Sequence, residues 1–149
     1  GALLVFIGIP IAATYVQFRQ EYGDPDVVAA ASSGDAVRAR ALLERGSPAN
    51  SYHLEGSSAL WWAVAANSPE TVQVLLDHGA DPNSTGQWNT VFEQAAQNLD
   101  HDGSGKGPAI ARLLLQHRAQ LADQAQVDLL DEALTARLRK LHGPALYVR

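Results

Sequence analysis

The 149-residue sequence predicts an all-α fold: a solenoid of about three to four helix–turn–helix units with short hairpin loops, preceded by an amino-terminal hydrophobic helix. Three observations carry this expectation. Paired leucines recur at Leu42-Leu43, Leu75-Leu76 and Leu114-Leu115, 33 and then 39 residues apart, the signature of a repeat with one insertion. The turns that follow the pairs superpose as well. Arg45-Gly46-Ser47-Pro48-Ala49-Asn50 falls on His78-Gly79-Ala80-Asp81-Pro82-Asn83, and Gln116-His117-Arg118-Ala119 follows the third pair at the same place. Finally, 25 Ala and 19 Leu favour helices, and 46% hydrophobic against 18% charged residues describes a chain that folds.

The first element is Gly1–Phe18, which holds no charged side chain; Arg19 is the first charge. Leu3, Leu4, Val5, Phe6, Ile7, Ile9 and Ile11 are nearly continuous hydrocarbon, about as long as the shortest bilayer spans. Pro10 kinks such a helix without forbidding it in lipid. Tyr15, Phe18 and Tyr22 fall where interfacial aromatics belong. Residues 1–23 are therefore expected to be an uncleaved, single-pass signal anchor with the amino end in the cytoplasm and the remainder extracytoplasmic, that is, periplasmic in a bacterium. A cleavable signal cut near Ala12-Ala13 and an apolar helix buried in a soluble fold are the competing readings.

Residues 24–149 form the repeat domain, with units at about 26–51, 56–84 and 86–121 and a helical cap at 122–142. The middle unit shows the logic most clearly. Ser58 can cap a helix whose apolar stripe is Leu60, Ala63 and Val64, and Asn67-Ser68-Pro69 stops it. Pro69 and Glu70 suit the first turn of the second helix, Val72, Leu75 and Leu76 form its stripe, and Gly79 ends it. Neither helix can hide its stripe alone, so successive pairs must stack. In the cap, Leu129, Leu130, Ala133, Leu134, Leu138 and Leu141 repeat the apolar pattern.

Gly56-Ser57-Ser58-Ala59-Leu60-Trp61-Trp62-Ala63-Val64, followed by Glu70-Thr71-Val72-Gln73-Val74-Leu75-Leu76-Asp77-His78-Gly79-Ala80-Asp81-Pro82-Asn83, resembles an ankyrin repeat. The second half matches best: a helix ending in two leucines, then a Gly-Ala-Asp-x-Asn turn leading into a hairpin. The familiar Thr-Pro-Leu-His is replaced by Ser58-Ala59-Leu60-Trp61 and, in the next unit, by Thr90-Val91-Phe92-Glu93, a departure that bears on hydrogen bonding between repeats. The resemblance is to a short, bacterial-type ankyrin chain and covers roughly Pro25–Arg149.

Chemistry is expected to be absent. With no cysteine there is no thiolate zinc site or Cys nucleophile, and a net charge of −5 removes the attraction that starts nucleic-acid binding. The insertion Asn98–Pro108 places Asp100, Asp102, Ser104 and Gly105 at positions 1, 3, 5 and 6 of a calcium loop, but Ala111 stands where a bidentate carboxylate is needed. Gly103-Ser104-Gly105-Lys106-Gly107 lacks the earlier glycine of a phosphate-binding loop. His53, His78, His101, His117 and His142 form no i, i+3 or i+4 pair, and His78 and His117 take equivalent helix-ending places, where a cation suits the helix carboxyl end. No Gly-x-Ser-x-Gly elbow occurs, and no metal or cofactor is implied. Arg137, Arg139, Lys140 and His142 make the carboxyl end basic.

What remains is surface. The resemblance implies a concave palm made of hairpin tips and the open side of each first helix. The tips are Tyr52-His53-Leu54-Glu55 and Gly86-Gln87-Trp88-Asn89; the helix positions are Trp62, Ala65 and Ala66, then Gln94, Gln97 and Asn98. Neighbouring helical residues point about a hundred degrees apart, so Trp61 and Trp62 cannot share one stripe. Trp61 is assigned to packing between repeats, Trp62 and Trp88 to the palm. Partner-binding residues are thus Tyr52, His53, Trp62, Gln87, Trp88, Gln94 and Gln97. The function expected is a non-enzymatic, membrane-tethered adaptor or accessory subunit that holds a protein partner, with residues 1–18 in lipid. The alternative is a soluble or exported inhibitor or immunity-type protein.

Overall fold

The computed structural model describes residues 11–100 and 105–117. Among the described residues seven α-helices follow in order: α1 (Ile11–Tyr22), α2 (Pro25–Ser32), α3 (Ala36–Glu44), α4 (Ala59–Ala65), α5 (Pro69–Asp77), α6 (Val91–Gln97) and α7 (Lys106–Gln116), with one 3-10 turn at Asn98–Asp100. From α2 onward they form three antiparallel pairs. Inner helices α2, α4 and α6 pack in sequence, and outer helices α3, α5 and α7 do the same behind them. This is the solenoid that the leucine spacing predicts.

Local chemistry explains each boundary. Asp24, Asp35, Ser58 and Thr90 each cap a helix by accepting a backbone N–H with the side chain, and Thr90 and Glu93 complete a reciprocal capping box. Within the first two pairs the chain reverses through a left-handed residue, Gly34 at φ +68° and Asn67 at φ +52°, again 33 residues apart. Glycine adopts that conformation freely and asparagine is among the few others that tolerate it.

The three pairs share one core. Leu60, Val64, Val72, Leu75, Val91, Ile110 and Leu114 are essentially inaccessible, Leu43 and Leu76 are buried with them, and Leu42 packs against the same cluster. Stacking is reinforced along the hairpins. The Ser58 amide donates to the Thr85 carbonyl at 3.1 Å, and the Ser58 and Ser84 hydroxyls lie 2.9 Å apart. At the turn edge, Asn50 accepts from the Asp81 amide at 2.8 Å and donates to the Gly79 carbonyl at 3.3 Å, tying one unit to the next.

Two boundaries differ from the sequence reading. The insertion was expected to run as loop to Pro108, but α7 already begins at Lys106. Pro108 fits there because a first helical turn does not need its N–H, and Gly107 lets α7 approach the Asn98 carbonyl so closely that a Cβ would collide with it. The second difference concerns residues 1–23. Among the described residues no helix is long and apolar enough to cross a membrane. The carboxyl half of α1 is joined to the first repeat: Arg19 donates to the buried Asp24 carboxylate at 2.6 Å, Ser47 donates to the same oxygen at 2.6 Å, and the Tyr52 amide donates to the Tyr22 carbonyl at 2.7 Å. Phe18 stacks on Tyr22 with ring centroids 5.1 Å apart, while Tyr15 and Val16 are exposed. Leu3, Leu4, Val5, Phe6, Ile7 and Ile9 lie outside the described residues, as do the cap at 122–142 and its basic cluster.

Candidate partner-binding surface

Two concavities open where hairpins meet inner helices. The first, about 400 Å³, is lined by Phe18 of α1, Pro25, Val28, Ala29 and Ser32 of α2, Tyr52, His53 and Leu54 of the first hairpin, and Trp62 of α4. It brings together three predicted residues, Tyr52, His53 and Trp62. The hairpin is narrow: Tyr52 pairs with Ser58 across it, and the His53 amide donates to the Ser57 carbonyl at 2.8 Å. Trp62 is not a free-standing anchor, as the palm assignment supposes. It is the half-buried floor of the cleft, meeting the Trp61 ring edge-on at 5.2 Å and the His53 ring at 6.0 Å. Its Nε1 is buried with no hydrogen-bond acceptor.

The second concavity, about 340 Å³, is shallower and lined by Thr85, Gly86, Trp88, Asn89, Thr90 and Glu93. Trp88 stands at the hairpin tip with 86% of its surface exposed. Gln87 is exposed beside it, and its amide donates to the Ser57 hydroxyl at 3.0 Å, so the second hairpin hangs from the first.

An amide relay holds that tip. Trp61 Nε1 donates to Asn89 Oδ1 at 2.7 Å, Asn89 Nδ2 to Gln94 Oε1 at 3.1 Å, Gln94 Nε2 to Asn98 Oδ1 at 3.4 Å, and Asn98 Nδ2 to the Val64 carbonyl at 2.6 Å. The last bond falls on a carbonyl at the end of α4 that also accepts from the Asn67 amide at 2.9 Å. Together these side chains link the repeats where Thr-Pro-Leu-His is missing. Trp61 also packs over Gly86, whose missing Cβ would fall on the indole ring. It therefore takes the inter-repeat place that the sequence assigns to it. Gln94 belongs to the relay, whereas Gln97 is exposed on α6 and lines neither concavity.

The α2 wall of the cleft was missed, although a signal for it existed. Shifting the palm positions Trp62 and Ala65 back by 33 residues lands on Ala29 and Ser32. Phe18 was missed because it reads as part of an apolar run.

His78 and His117 sit at helix ends. His78 Nδ1 lies 2.8 Å from the Val74 carbonyl at the end of α5, and His117 Nε2 lies 4.0 Å from Asp77. Among the described residues no three His, Asp or Glu side chains could hold a metal ion. Of the calcium-loop positions, Asp102 and Ser104 lie outside the described residues, and Gly105 precedes α7 in a left-handed conformation.

Residues 19–86 match the model of the family described as ankyrin repeats (3 copies). A 61-residue stretch, 40% of the chain, is 41% identical to the 2-5A-dependent ribonuclease of Mus musculus and spans 8% of that protein. So short a share carries none of that protein's activity over to this chain. The ankyrin family is generally non-catalytic, and its repeats bind protein partners. The match begins within α1, at the residue whose guanidinium holds Asp24, so the carboxyl half of α1 belongs with the repeats. Residues 19–86 of this chain are therefore similar to ankyrin repeats.

Proposed function

We propose that the chain is a non-enzymatic adaptor that holds a protein partner against the hairpin and inner-helix side of its repeats. The observation that carries this reading is the exposed aromatic surface at successive hairpins: Tyr52, His53 and Trp62 around one cleft, Trp88 beside the other. A solvent-exposed tryptophan has an unfavourable hydration cost that a partner removes, and such residues are typical binding anchors. Tyr52, His53, Trp62, Gln87 and Trp88 form the contact set, with Gln97 at its edge and Gln94 holding the tip in place. Trp88→Ala together with His53→Ala should abolish co-purification of the partner while helical circular dichroism is unchanged. Retained co-purification would place the interface elsewhere.

The same reading assigns the apolar residues 1–18 to a bilayer, with the repeats extracytoplasmic and the complex membrane-associated. Replacing Leu4, Phe6 and Ile7 by Gln should release the chain from sedimented membranes, and a wild-type chain that stays in the supernatant without detergent would refute the tether. A soluble or exported inhibitor is the second reading. It is favoured by the hydrogen bond that Arg19 donates to Asp24 and the one that the Tyr22 carbonyl accepts from the Tyr52 amide, which make α1 part of the folded stack.

A further inference from the structure

The charge around these concavities restricts what can occupy them. From Gly46 to Gly105 the chain contains no Lys or Arg, yet seven Asp and Glu. Inner helices α2, α4 and α6 and both hairpins share this bias; their carboxylates include Glu55 and Glu93, and none of them carries a Lys or Arg. Arg19 and Arg38 pair with Asp24 and Asp26, while Arg40 and Arg112 are carried on outer helices. The hairpin side therefore presents a negative field, which repels anionic occupants and steers cationic ones.

Within that field, one place couples an open aromatic ring to a carboxylate. Trp88 and Glu93 line the same depression. Both bonds that Glu93 accepts from Thr90 fall on Oε2, at 2.8 Å and 3.0 Å, leaving Oε1 without a partner among the described residues. A guanidinium or ammonium group laid on the indole face would gain the ring's quadrupole and the carboxylate together. The neighbouring cleft is apolar, and Glu55 follows its lining residue Leu54 on the hairpin, with one carboxylate oxygen 3.3 Å from His53 Nδ1. A segment that alternates cationic with apolar side chains would satisfy both.

Building on the adaptor reading, we propose that the partner presents a basic polypeptide segment, with an Arg or Lys on Trp88 beside Glu93 and an apolar residue in the cleft floored by Trp62. Small cations would not engage both concavities, and anionic lipid or nucleic acid is repelled.

The test titrates the full chain into a fluorescent peptide alternating arginine with leucine, and into its counterpart with glutamate for arginine, following anisotropy at low and high salt. The basic peptide is expected to bind and the acidic one not. Trp88→Ala, exposed enough to leave the fold alone, should weaken binding by about fivefold or more. Glu93→Gln keeps the capping box, since glutamine serves it equally, and should cost about threefold at low salt and little at high salt. Binding that both variants leave unchanged, or equal binding of the two peptides, overturns the proposal, as does no binding of the basic peptide up to about 1 mM. Strengthened binding on replacing Arg137, Arg139 and Lys140 by Gln would make the chain's own basic segment the occupant and overturn it too. If Trp88→Ala abolishes capture of an authentic partner that carries no basic segment, the adaptor reading stands and only the charge assignment fails. If Trp88→Ala and His53→Ala affect no partner at all, both fail.

Discussion

The contact between Trp61 and Gly86 gives a perturbation whose size follows from geometry. Gly86 does not have a left-handed backbone, so Gly86→Ala introduces no conformational strain; its whole effect comes from a methyl group that would overlap the Trp61 indole. The ring cannot swing away freely, because Nε1 is bonded to Asn89 at 2.7 Å and the other face packs on the core. Overpacking of this kind costs about 2–3 kcal/mol. Trp61→Ala alone removes a partly buried ring and one hydrogen bond, also about 2–3 kcal/mol. The two changes should not add, since without the indole the added methyl meets open space. The double variant is therefore expected to lose about 2–3 kcal/mol where additivity would give about 4–6. Urea unfolding of the four proteins, followed by circular dichroism, measures this coupling directly. Additive losses within about 0.5 kcal/mol would mean that the indole does not cover Gly86, and the account of how the Trp88 tip is held would fall with it.

Two further predictions concern the stack. Leu75→Ala, at a fully buried site, should cost about 3–4 kcal/mol by opening a cavity, whereas Leu115→Ala, at a side chain 43% exposed, should stay within about 1 kcal/mol; similar costs for the two would contradict the shared core. Asp24→Ala removes the cap of α2 and the acceptor for Arg19 and Ser47, so about 2 kcal/mol of stability should be lost, with faster hydrogen exchange at the Tyr52 amide as α1 loosens; Asp24→Asn should recover part of the cap, and unchanged exchange would show that α1 is held by something else.

How far the sequence could be read depended on whether a residue's role is local. Leu42, Leu75 and Leu114 recur at a spacing that only stacking explains, and they do meet one core. The cap Ser58 acts on an amide three residues away, so it too was legible, whereas the equivalent cap Thr90 was not singled out. The start of the repeats was not. Phe18 looks like a continuation of hydrocarbon, and its place in the cleft depends on Tyr52, Leu54 and Trp62, more than thirty residues distant in sequence. Trp62 was given too exposed a role for a similar reason: helical geometry separates it from Trp61 but does not reveal that it lines one cleft with His53 and Phe18. The Asn89–Gln94–Asn98 relay escaped reading because each member is an ordinary polar surface residue until the others are placed beside it.

Each inner helix packs against its own outer helix and against the neighbouring inner helices, and the outer row is arranged likewise. Among the described residues the main packing runs from the first pair to the middle pair and from the middle pair to the third. Pulled from its two ends, the array would come apart pair by pair, lengthening in successive increments of about one repeat's contour. Damage at an outer pair would be felt as local fraying, whereas the same damage in the Ser58–Asp77 stretch would loosen the packing on both of its sides.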